Sequence, residues 1–300
     1  MRRRITRTLI AAAAAGVTAG TLGLTAAGAA NAAVSSHHHR HHHHHAKISP
    51  IYAPTMATRS TAGYEASGRD FRYISATITV PDTSFLTGLY PQEYIQMSNG
   101  SLGSGDQYVR AGIEACVVAK SLDPSVTCAP GSWVSYVEAF NNSLNGPYFA
   151  HYAGLSGVSQ GDGVNFSIYS DEQGNELHFV ITPPSTSGPV ESYKTQAYGP
   201  IFDHAAAVDD FTDSTGTPIA LPPFVHSFRI NQFLQGAITT ENGQRGSFVG
   251  PWTITPIDAT SNGLPYPSGT VRVSPGRLWT SNLPANGATR PWDSFGVWAR

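Results

Sequence analysis

From Ser60 onward the chain is cut by Gly, Pro, Asn, Asp and Ser into short runs in which apolar and polar residues alternate. A period of two with breakers roughly every ten to twenty residues admits strands and little else. The runs fall at Phe71 to Val80, Tyr108 to Val118, Ser132 to Phe140, Val164 to Ser170 and Glu176 to Thr182. Further runs lie at Ile201 to Phe211, Val225 to Phe233, Pro251 to Ile257 and Thr270 to Val273. Pro81 closes the first by removing a backbone donor, and Asp171-Glu172-Gln173-Gly174-Asn175 suits a hairpin between the fourth and fifth. The triplet Ala205-Ala206-Ala207 favours helix, but its neighbours give it no helical period. No internal repeat and no linker divides the region. One antiparallel all-β sandwich, a single domain over residues 63–300, is the expected fold.

The N-terminal part obeys other rules. Arg2, Arg3, Arg4 and Arg7 precede an apolar Ala/Leu/Gly/Val/Thr stretch that ends in Ala30-Asn31-Ala32. That pattern predicts a signal peptide over residues 1–32, removed on export by the Sec or the twin-arginine route. The mature protein is then expected outside the cell or on the cell wall, with no membrane anchor, and as a monomer. Residues 33–62 lack periodicity and are expected to be disordered. They hold His37, His38, His39, His41, His42, His43, His44 and His45, interrupted by Arg40. Neutral imidazoles take divalent metals and protonated ones make a cationic tail, so an adventitious metal, a pH-responsive tether, an inserted affinity tag or a plain spacer are the readings; no cofactor is expected. Cys116 and Cys128 are predicted to pair in an oxidising compartment. With 13% charged residues and a net charge of −2, nothing predicts nucleic-acid binding.

Chemistry is sought on strand faces. Tyr108, Arg110, Gly112, Glu114 and Cys116 share one face of their run, and Val109, Ala111, Ile113, Ala115 and Val117 the other. The apolar set belongs between the sheets. In the next run Ser132, Val134, Tyr136, Glu138 and Phe140 share a face. A carboxylate among aromatics suits a groove that holds a peptide or sugar. Arg110, Glu114, Tyr136, Glu138 and Phe140 are therefore the candidate groove residues.

Phe71-Arg72-Tyr73-Ile74-Ser75-Ala76-Thr77-Ile78-Thr79-Val80-Pro81, then Val109-Arg110-Ala111-Gly112-Ile113-Glu114-Ala115-Cys116, then Tyr136-Val137-Glu138-Ala139-Phe140 resemble the glutamic peptidase (eqolisin) family in its bacterial secreted branch. Ala207-Val208-Asp209-Asp210-Phe211, Leu221-Pro222-Pro223-Phe224 and Thr239-Thr240-Glu241-Asn242-Gly243 extend the likeness in the same order. The resemblance implies a concanavalin-like sandwich of two curved sheets with a groove on the concave face. It also implies a Gln/Glu dyad, in which the carboxyl acts as base and then acid while the amide stabilises the oxyanion. On this chain the Gln position falls on Arg110 and the Glu position on Ala205; a non-dyad Glu persists as Glu138. Asp203, two residues before Ala205, is the substitute carboxylate, displaced by about 6–7 Å along a strand. An Arg110–Glu138 ion pair is the structural alternative for those two residues.

His151, His178, His204 and His226 lack zinc-motif spacing, no Gly-x-Ser-x-Gly elbow is present, and two acids such as Glu114 and Glu138 are candidates for glycoside hydrolysis. The leading expectation is a non-peptidase homologue that binds peptide or glycan in the groove. The alternatives are an acid endopeptidase using Asp203 or Glu138, and an envelope protein attached through its His tract.

Overall fold

A computed structural model describes residues 51–300 apart from 82–87, 116–131, 156, 172–173, 185–189, 198–201, 214–216, 222–227, 244, 247, 249 and 282–291. The described chain is almost wholly strand: β1 (Ile51–Tyr52), β2 (Met56–Thr58), β3 (Thr61–Thr79), β4 (Tyr90–Asn99), β5 (Gln107–Ala115), β6 (Trp133–Asn141), β7 (Gly146–Gly154), β8 (Gly163–Ser170) and β9 (Glu176–Thr182). Then come β10 (Glu191–Gln196), β11 (Phe202–Thr212), β12 (Phe228–Thr240), β13 (Arg245–Gly246), β14 (Thr253–Thr260), β15 (Val271–Pro275), β16 (Trp279–Ser281) and β17 (Trp292–Ala299).

The strands form two layers that share β3. Its first half pairs with β14 on one side and β11 on the other, and the layer continues through β4, β5, β6 and β7. Its second half lies between β8 and β12, and that layer runs from β10 through β9 and β8 to β12 and β17. The crossing falls at the exposed stretch around Gly68, whose φ of 85° is one that glycine adopts without strain. β15 pairs with both β14 and β17 and so joins the layers a second time. All these pairings are antiparallel; β1 and β2 add parallel to β14. This is the all-β, concanavalin-like sandwich expected.

Alternation places the core. Ile95, Met97, Val109, Ala111, Ile113, Val137, Ala139, Ala205 and Ala207 face inward from the first layer; Ile74, Ile78, Phe166, Ile168, Phe179 and Phe295 face them from the second. Fully burying one such Ile or Phe contributes about 1.5–3 kcal/mol. Phe149 of β7 stacks on Phe179 of β9, and Tyr64 of β3 meets Phe295 of β17 edge to face.

The structure corrects one boundary. Residues 51–62, expected to be disordered, include β1, β2 and the start of β3, all hydrogen-bonded to neighbours, so the sandwich begins by Ile51 rather than at Gly63. The short strands carry no alternation long enough to read, and β14 supplies the order they lack. The signal region, the His tract and Cys116 with Cys128 lie outside the described residues.

Candidate functional site

Cross-strand register sorts the outer face of the first layer into rows. One row runs Glu65, Ala206, Gln96, Arg110, Glu138, Ala150 across β3, β11, β4, β5, β6 and β7. The next runs Gly63, Val208, Tyr94, Gly112, Tyr136, Tyr152, and on the other side lie Ser67, His204, Ser98, Tyr108, Phe140. Because residues directly opposite have Cβ atoms about 4.5–5.5 Å apart, each row is a line of touching side chains.

Arg110 and Glu138 meet at the centre. Nε and Nη2 of Arg110 both lie 2.6 Å from Oε2 of Glu138, and the two side chains are only 21% and 8% exposed. The guanidinium carbon sits 5.2–5.4 Å from the ring centres of Tyr94, Tyr108 and Tyr136, a cage in which the π faces favour a cation. Burial works against the charge, but Tyr136, Glu138, Tyr108 and Tyr94 outweigh it and hold the guanidinium protonated well above the usual Arg range. Burial pushes the hydroxyl of Tyr136 up as well. Gly112 lets Tyr94 and Tyr136 come together beside Arg110: a Cβ there would run into the Glu93 carbonyl oxygen.

Beside the ion pair opens a cavity of about 180 Å³ lined by Tyr94, Gln96, Ser98, Leu102, Tyr108 and Arg110, with Gly103 and Gly105 at its wall. Tyr108 stacks flat on Phe140 at 4.8 Å. At the other end of the central row Glu65 is 3% exposed. Its Oε2 accepts a 2.6 Å hydrogen bond from the Leu102 N–H, and its Oε1 lies 3.9 Å from Nε2 of His204. Burial raises the Glu65 pKa, although the Leu102 N–H and His204 pull the other way; Asp203 adds to the rise. Nδ1 of His204 is 2.7 Å from Oδ1 of Asp203, which also accepts from the Gly100 N–H at 2.7 Å.

The expected residues are thus only partly gathered. Arg110, Tyr136, Glu138 and Phe140 share the outer face. Glu114 shares it too, but sits in the row of Gln92 and Val134 and accepts from Gln92 at 2.9 Å. Four residues along the strand, about 13 Å of backbone, separate that row from Glu138. Asp203 does not reach Arg110. A register shift at Phe202–His204 leaves it half exposed beside Gly100, where it lines a second cavity with Arg69, Asp70, His204 and Asn242. Ala205 points between the sheets, fully buried, and Ala206 occupies the row that contains Arg110. The Asp203 carboxylate is drawn to the Gly100 N–H and to His204, away from the buried side of Ala205, and the substitution of one for the other expected from their spacing does not occur.

Glu65, Gln96 and Tyr94 are not legible as site residues in the sequence. Gln96 and Tyr94 belong to β4, whose alternation of Ile95 and Met97 against Tyr94, Gln96 and Ser98 is broken by the inward Glu93. Among the described residues no group of His, Cys, Asp and Glu is arranged to hold a metal, and no helix is long and apolar enough to cross a membrane.

No protein-family model and no curated protein matches the chain. Among solved structures it is similar to SCP-B, a member of the eqolisin family of peptidases, in complex with the tripeptide Ala-Ile-His: 11% identity over 80% of this chain and 98% of that one, with a TM-score of 0.47. It is also similar to a glycoside hydrolase family 16 endo-glucanase from Bacteroides ovatus, at 14% identity over 54% of this chain and 74% of that one, with a TM-score of 0.32. These likenesses concern the fold and assign no activity.

Proposed function

We propose that this chain is an exported, glutamic-peptidase-like sandwich that binds a peptide or glycan segment across the outer face of its first layer without cleaving it. The observation that carries the reading is the Arg110–Glu138 pair closed inside Tyr94, Tyr108 and Tyr136. A charge pair neutralised in this way supplies shape and hydrogen-bonding edges, while neither Ala205 nor Ala206 can move a proton. The cavity that adjoins it offers the amide of Gln96, the hydroxyls of Ser98 and Tyr108 and aromatic surface, the mixture that orients polar chains. Titration of the mature protein with peptide and oligosaccharide panels, followed by calorimetry, tests this. Saturable binding weakened at least about tenfold by Gln96→Ala or Tyr108→Ala supports it; binding by neither panel, or binding indifferent to both substitutions, overturns it.

A second reading is an acid endopeptidase, and Glu65 favours it: a buried carboxyl of raised pKa, in the row of Gln96 with one alanine strand between. Against it, Leu102 caps one carboxyl oxygen and packs over the apolar cluster of Ala206, Val208 and Tyr94. Cleavage of a denatured protein substrate in acid, lost in Glu65→Gln, would establish this reading instead.

A further inference from the structure

The loop between β4 and β5 forms one wall of the cavity beside Arg110, through Leu102, Gly103 and Gly105. It is internally tied. The Ser104 N–H donates to the Ser101 carbonyl at 2.9 Å, and the Gln107 N–H donates to Oδ1 of Asn99 at 2.8 Å. A Cβ on Gly105 would stand 2.5 Å from the Asn99 carbonyl oxygen, so the two ends of the loop are pressed together. Gly100 and Gly103 have φ of 95° and 78°, which glycine adopts without strain. Such a segment swings as a unit. Its last residue, Asp106, is held by the Asn142 N–H at 2.8 Å and serves as a pivot.

Four contacts hold the opposite side down. The Gly100 N–H donates to Asp203 and the Leu102 N–H to Glu65, with the imidazole of His204 between the acids. The Gly100 carbonyl accepts from Ser98 Oγ at 2.9 Å, and the Leu102 side chain packs on the Tyr94, Ala206 and Val208 cluster. Of these the two carboxylate contacts respond to protons. We propose that residues 100–106 are a proton-operated flap over the Gln96–Arg110 cavity, latched by Glu65 and Asp203 through their shared His204 and released on acidification. The flap governs access to the cavity named under the proposed function and in that sense rests on it, but the latch stands or falls without any ligand.

The chemistry gives the release an order. An N–H bond to a carboxylate is roughly twice as strong as one to a neutral acceptor, so protonation weakens each latch. Glu65 is buried among Leu102, His204 and Asp203, and it takes its proton above the ordinary Glu range. Burial also raises Asp203, but the Gly100 N–H and His204 outweigh it, and the carboxylate persists below the ordinary Asp range. On acidification the Leu102 latch therefore loosens first and the Gly100 latch last. Removing His204 removes a cation-capable neighbour that lowers the Glu65 pKa, so it should move the first release to higher pH.

Hydrogen exchange of the unliganded protein between about pH 2 and pH 7, corrected for intrinsic rates, tests the latch. The expected result is a fall in Leu102 protection of about tenfold or more as pH drops, with Gly100 protection falling only at lower pH. In Glu65→Gln, Leu102 should exchange fast at neutral pH with little further pH dependence. His204→Ala should shift the wild-type midpoint upward, and Asp203→Asn should free Gly100 and shift the Leu102 midpoint downward, because the Asp203 charge raises the Glu65 pKa. Exchange of the β8 and β9 amides reports that each variant is folded, and should any variant unfold, the wild-type series alone decides. Equal Leu102 protection at both ends of the pH range overturns the proposal, as does wild-type protection and pH dependence in a folded Glu65→Gln protein.

Discussion

Arg110 and Glu138 show what single residues contribute. The two charges are largely out of water and answer each other, so removing one leaves the other uncompensated. Arg110→Leu and Glu138→Leu are each expected to destabilise the fold by about 3–5 kcal/mol, and the double variant by clearly less than either single change. Urea unfolding of the three variants checks this; equal costs for single and double variants would contradict it. A second pair of residues sets the pH dependence. Glu93 and Asp209 are cross-strand partners on the inner face, both fully buried, and among the described residues neither carboxylate oxygen of Glu93 has a hydrogen-bond partner. Burial, and then Asp209, drives the Glu93 pKa well above the usual range. The folded state thus holds a proton that the unfolded chain releases near about pH 4. The contribution of this pair to stability is complete below that pH and is lost as pH rises toward the raised titration of Glu93. Denaturation midpoints should fall from acid to neutral pH in the wild type, and that slope should flatten in Glu93→Gln. An unchanged slope would refute the assignment.

At the scale of elements, legibility follows the strictness of alternation. β8 and β9 can be read directly because Val164, Phe166 and Ile168 and then Leu177, Phe179 and Ile181 supply one buried face without exception. β4 escapes because Glu93 stands where an apolar residue should, and β3 is legible only in its second half because the bend near Gly68 resets its faces. Half of the candidate site is legible for the same reason. Arg110 and Glu138 belong to strands with clear inner faces, whereas Glu65 precedes the bend and Gln96 follows the interruption. Where Asp203 points does not follow from its spacing to Ala205, because its carboxylate is drawn to the Gly100 N–H and His204. Gly112 tests how tightly β4 and β5 approach. A Cβ at this position would collide with the Glu93 carbonyl oxygen, so Gly112→Ala must push the strands apart. It is expected to cost about 3 kcal/mol and to weaken ligand binding with it. A thermal midpoint close to that of the wild type would show that the strands can yield.

For the whole molecule, the shared strand β3 and the double pairing of β15 make the two layers one cooperative unit, and β1 and β2 extend it to Ile51. A chain starting at Gly63 should therefore melt below one starting at Lys47, a difference that calorimetry reads directly. The outer face of this unit carries a capped carboxyl at Glu65 and a charge pair sealed by tyrosines, and the proposed function requires that this face bind without cutting. Incubation of the protein with a denatured protein substrate across about pH 2 to 5, the range in which a carboxyl acid–base would work, tests it most directly. A face that only binds leaves the substrate intact throughout, in the wild type as in Glu65→Gln and Glu138→Gln; cleavage by the wild type that either substitution abolishes would contradict it.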